Sequence, residues 1–104
     1  MRWHTDEQDR WTIEGDANLE DARRFEEACR GLPTSERLTL QMLDLDVDGG
    51  PACAALVDAV RVLATRTSVV LEDAPQSLAH VLYRVGDLRR IELVRPRVES
   101  PTVA

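Results

Sequence analysis

Hydrophobic and polar positions alternate along the first part of the chain. Residues 2–5 read as a short strand and Asp6-Glu7-Gln8-Asp9 as a polar turn. From Arg10 to Glu14, Trp11 and Ile13 alternate with Thr12 and Glu14, the period of two of a half-buried strand. The two strands are expected to pair as a hairpin. Gly15-Asp16-Ala17-Asn18 then breaks the strand, with Asn18 placed to cap a helix. That helix is expected from Leu19 to Arg30. Glu20 and Asp21 suit its dipole in the first turn, and Ala22, Phe25 and Cys29 lie on one face, continued by Leu32. Gly31 and Pro33 end it.

The centre of the pattern is the stretch from Leu38 to Ala64. Leu38 to Val47 is mostly apolar, with Leu40, Met42, Leu43 and Leu45, and predicts one central strand buried on both faces. Asp48-Gly49-Gly50 is a sharp turn in which both glycines can take positive φ. A second helix is expected from Pro51 to Thr65, because proline at the first helical position loses no hydrogen bond there. Its core stripe is Ala52, Leu56, Ala59, Val60 and Leu63. The opposite side carries Ala54, Asp58, Arg61 and Thr65, flanked by Ala55 and Val62, a surface short in side chain and low in charge. Such a surface suits either solvent or a second polypeptide approaching closely.

Ser68 to Glu72 is a β-branched run and predicts a strand parallel to the central one, reached by a right-handed crossover. A third helix is expected over Gln76 to Val85, with Leu78, Val81, Leu82 and Val85 inward, His80, Tyr83 and Arg84 outward, and Gly86 as its cap. Leu88 to Val94 suggests a last strand. The segment 96–104 holds two prolines with little apolar matter and is expected to be a flexible tail to a single domain over residues 1–95.

Composition narrows the functional classes. With 104 residues and a net charge of −6, the chain suits one small domain and argues against nucleic acid or an anionic membrane surface as partner. No apolar run is long enough to insert directly into a membrane and no signal peptide is evident, so a cytoplasmic location is expected. Cys29 and Cys53 read as small buried thiols.

Candidate chemistry is sparse. Asp44-Leu45-Asp46-Val47-Asp48-Gly49 has the opening spacing of an EF-hand loop, but the twelfth position is Ala55 where a bidentate Glu belongs, and the preceding segment reads as a strand. The same ladder locally resembles the haloacid-dehalogenase phosphatase signature, yet the chain has no lysine and is short for that fold. The plainer reading is carboxylates at the solvent end of a strand. His4 and His80 stand apart from any nucleophile elbow, and the glycines belong to no phosphate-binding motif. No enzyme activity, cofactor or metal is expected.

The order of elements resembles the STAS domain family of anti-sigma factor antagonists, sulfate-transporter tails and the small cytosolic subunit of phospholipid-transport ABC systems. Residues Trp11-Thr12-Ile13-Glu14-Gly15 are similar to the family's opening strand and glycine. Leu43-Asp44-Leu45 is similar to its central strand, Val47-Asp48-Gly49-Gly50 to its turn, and Gly86-Asp87-Leu88 to the step after the last helix. The resemblance implies an α/β fold: a mixed sheet of four or five strands, with about three helices mainly on one face. It also implies a noncatalytic role in binding a protein through Asp46, Asp48, Gly49, Gly50, Ala54, Asp58 and Arg61. The implied partner is a kinase-like or other anti-sigma factor, or alternatively the ATPase of a lipid-transport ABC complex. A homodimer stays open. Where phosphoregulated antagonists carry Ser or Thr at the turn, this chain has Gly49, Gly50 and Pro51, so no hydroxyl is available for that switch.

Overall fold

The structure, a computed structural model, describes residues 1–7, 9–31, 36–85 and 89–97. Strand β1 (Arg2–Glu7) and strand β2 (Arg10–Ala17) form the expected antiparallel hairpin, with Trp3 opposite Ile13 and Thr5 opposite Trp11. Helix α1 (Leu19–Arg30) follows, and the Asn18 side chain accepts the Asp21 backbone N–H at 2.8 Å, as its capping role requires. Next come β3 (Arg37–Gln41), β4 (Leu45–Val47), α2 (Gly50–Ala64), β5 (Ser68–Glu72), α3 (Gln76–Val85) and β6 (Ile91–Val94). The expected helix cap Gly86, the resemblance at Gly86-Asp87-Leu88, the continuation of the α1 face by Leu32 and the helix-ending role of Pro33 lie outside the described residues.

The sheet is mixed and six-stranded, in the order β1-β2-β3-β5-β6. Only the β1–β2 pairing is antiparallel; β3, β5 and β6 join in parallel. The sixth strand arises because the run Leu38–Val47 is two strands, not one. It bends at Met42–Asp44, where the Gln41 side-chain oxygen accepts the Leu43 N–H at 2.6 Å, and Leu43 is 55% exposed. After the bend, β4 pairs in parallel with the far half of β2, over Gly15–Ala17. Strand β2 therefore serves two neighbours in succession and continues through Gly15, where the sequence suggests a break. Gly15 takes φ +91° at that junction and donates its N–H to the Asp44 carbonyl at 2.9 Å.

The expectation that the central strand is buried on both faces also fails. In β3, Leu38 and Leu40 are buried and Arg37, Thr39 and Gln41 are not. The buried side of the sheet continues through Trp11, Ile13, Val69, Leu71 and Ile91, and a single core joins it to all three helices. Phe25 of α1 stands edge-on to Trp3 and Trp11, with ring centroids 5.3 and 6.4 Å away. With one helix layer, the other sheet face is largely polar, with Val70 buried among the polar side chains. Arg10 of β2 reaches across β3 to Glu72 of β5 at 2.6 Å, and Arg2–Glu14 and Arg37–Glu92 pair at 3.1 and 3.4 Å.

Candidate functional site

Helix α2 occupies the centre of the helix layer. Its fifteen residues bury Ala52, Leu56, Ala59, Val60 and Leu63, the expected stripe, and also Cys53, Ala55 and Val57. Burying side chains of the size of Leu56 or Val60 stabilises the fold by about 1.5–3 kcal/mol each. Because α1 packs on one flank and α3 on the other, Ala55 is covered where the sequence places it beside the exposed side. What remains outward is a narrow stripe: Pro51, Ala54, Asp58, Arg61 and Thr65.

The turn before α2 is fixed from both ends. The Asp48 N–H donates to the Ala17 carbonyl at 2.8 Å, and the Gly49 carbonyl accepts from Cys53 N–H at 3.1 Å. Gly49 sits at φ +91° and ψ 169°, a region essentially confined to glycine. Gly50 does not share this conformation; it is the first residue of the helix, and the space around its Cα is open. Asp46, Asp48, Gly49 and Gly50 are all exposed.

These residues do not converge on one pocket. Asp46 opens into a cleft of about 820 Å³ at the carboxyl end of the sheet, lined also by Ser77, His80, Arg95 and Arg97. Asp58 and Arg61 open onto a separate groove of about 570 Å³ beside the carboxyl end of α2. A fifteen-residue helix is on the order of 22 Å long, and that length separates the two ends. Asp48, Gly49, Gly50 and Ala54 lie between them on the surface.

Ionic groups in the carboxyl-end cleft are largely committed. Arg97 donates from Nη2 to the carbonyls of Met42 (3.1 Å) and Leu45, and from Nε to that of Asp73 (3.0 Å), while Nη1 lies 3.9 Å from Asp46. Its own N–H donates to Ala74 O at 2.9 Å, so the described start of the expected tail is tied to the sheet. Arg95 lies 3.7 Å from Asp73. The two cysteines are buried and free. Burial pushes the Cys29 thiol up to about 12, partly opposed by the charge of Arg66, and raises that of Cys53, partly opposed by a hydrogen bond with Ser77. Both pack into the common core. Among the described residues no three His, Cys, Asp or Glu gather as a metal site, so the ladder Asp44, Asp46 and Asp48 does not form one. No described helix is long and apolar enough to cross a membrane.

Two features escaped the sequence reading. Arg97 has no local partner in sequence; its partners are carbonyls at the bend after β3, the start of β4 and the end of β5. The groove takes Asp58 and Arg61 from the expected surface but adds Arg30, Arg89 and Arg90 from elsewhere in the chain. The adjacent pair Arg89-Arg90 just before β6 was the available signal.

The fold and surface define a single α/β domain with one layer of helices on a mixed sheet. Neither a family model, nor a curated protein, nor a solved structure matches the chain.

Proposed function

We propose that this protein is a noncatalytic regulatory module of the STAS type, similar to anti-sigma factor antagonists. It binds a protein partner through the turn Asp46–Gly50 and the outer stripe of α2. The supporting observation is the stripe itself. Helix α2 is enclosed by its own chain on three sides, yet Ala54, Asp58 and Arg61 stay outward, next to a turn whose Asp48, Gly49 and Gly50 are exposed. An alanine in that position lets another backbone approach closely, and Asp58 and Arg61 supply charges that set orientation. The mixed sheet and the helix layer on one face agree with the fold class that the STAS resemblance implies, with six strands where four or five are expected.

Switching by phosphorylation at this turn is not part of the proposal. Gly49 carries no hydroxyl, and its backbone region would strain any residue that did.

The test is affinity capture from the native cell with the tagged protein and its variants Ala54→Arg and Asp58→Arg, read by quantitative mass spectrometry. One regulatory partner should be enriched by the parent and reduced about tenfold or more by each variant, a change equivalent to about 1.4 kcal/mol. Equal recovery of that partner by both variants would remove the stripe from the interface.

A further inference from the structure

The groove at the carboxyl end of α2 combines positive charge with an apolar floor on an otherwise acidic chain. Four arginines line it, Arg30, Arg61, Arg89 and Arg90, against the two carboxylates of Glu26 and Asp58. Arg30 and Glu26 satisfy each other at 2.7 Å, and Arg90 donates only weakly, at 3.4 Å, to the Thr65 carbonyl. Arg61 and Arg89 are exposed and make no ion pair or hydrogen bond among the described residues. Beneath them lie Val62 and Ala64, half-buried, and Ile91, buried. Two uncommitted guanidiniums above an apolar floor match a segment that offers carboxylates on either side of an apolar side chain. Guanidinium forks take carboxylates in bidentate fashion, and the floor takes the apolar group.

We infer that this groove docks an acidic, leucine-containing segment of a partner polypeptide. The inference rests on the protein-binding proposal above and names the chemistry of one partner segment, since Asp58 and Arg61 belong to both surfaces. A nucleic acid fits less well. The chain carries a net charge of −6, and two carboxylates within the groove would oppose a phosphate backbone.

The experiment uses a short fluorescein-labelled peptide of repeated Glu-Glu-Leu triplets, titrated with the full chain and followed by fluorescence anisotropy. Comparison ligands are the Lys-Lys-Leu peptide, an all-glutamate peptide and an oligothymidylate of similar length. The Glu-Glu-Leu peptide should bind best, with affinity falling as salt is added. Arg61→Glu with Arg89→Glu should lower that affinity at least tenfold, the double change to Gln should lower it less, and Arg23→Glu on the outer face of α1 should leave it unchanged. All altered side chains are exposed, and circular dichroism checks that each variant is folded. No binding of the Glu-Glu-Leu peptide, equal binding by the Glu double variant, preference for the oligothymidylate, or self-association that occupies the groove would each overturn the inference. Arg89→Glu lies off the α2 stripe and Ala54→Arg lies outside the groove. Loss of partner capture with Ala54→Arg, alongside peptide binding indifferent to Arg89→Glu, therefore overturns this inference and leaves the broader proposal standing.

Discussion

Arg97 commits its guanidinium to main-chain oxygens. The carbonyls of Met42, Leu45 and Asp73 belong to the bend after β3, the start of β4 and the end of β5. A planar fork with several fixed donors can join three such oxygens, which a lysine ammonium on a flexible stem does less well. Hydrogen bonds to a charged group stabilise by about 1.5–3 kcal/mol when buried, and this side chain is 28% exposed. Arg97→Ala is therefore expected to lower the free energy of unfolding by about 1–2 kcal/mol in urea denaturation, with Arg97→Lys recovering less than half of it. A loss below about 0.5 kcal/mol would mean that water serves the three carbonyls as well as the guanidinium does. None of this was legible in the sequence. The residue follows Pro96, and its acceptors come together only once the bend at Met42–Asp44 lies beside the end of β5.

At the scale of elements, hydrophobic pattern found the strands and helices and missed one change of direction. A run such as Leu38–Val47 counts apolar residues without saying which way they point. Leu43 belongs to the run and faces water, because a side-chain oxygen of Gln41 turns the backbone at that point. The hairpin, the Asn18 cap and the core stripe of α2 were readable because each depends on neighbours within a few residues. The turn into α2 was half readable. Two glycines in sequence suggest equal freedom, but only Gly49 needs it. Its φ of +91° with ψ of 169° costs a side chain about 1–3 kcal/mol, whereas Gly50 is helical with open space around it. Gly49→Ala is thus expected to destabilise by about 1–3 kcal/mol, and Gly50→Ala to stabilise by about 0.4–1 kcal/mol through the unfolded chain. Thermal melts of the two variants check the sign. Equal shifts for both would show that the turn relaxes when its backbone is altered.

For the whole molecule, one helix layer over one sheet face sets where stability resides. Strands β3 and β5 are hydrogen-bonded on both edges and pack their buried faces into the common core. Among the described residues β1 and β6 end the sheet with one strand neighbour each, and β6 is only four residues long. The candidate surface follows the same division. The stripe of α2 was legible because it is the complement of a local helical pattern. The groove was not, because it joins the ends of α1 and α2 to the start of β6, pieces distant in sequence and brought together only by the sheet order. Opening of an edge strand breaks one ladder, while opening of a central strand breaks two and exposes the core. Amide hydrogen exchange should therefore be slowest in β3, β5 and the inner face of α2, at the rate set by global unfolding, and faster in β1 and β6 through partial opening. Of the two edges, β1 should be the better protected, since Trp3 packs against Phe25 and the hairpin spans more residues. Protection of β6 equal to that of β3 would show that the sheet opens as one unit. In that case the groove beside Arg89 and Arg90 would be as rigid as the core rather than the part of the molecule that yields first.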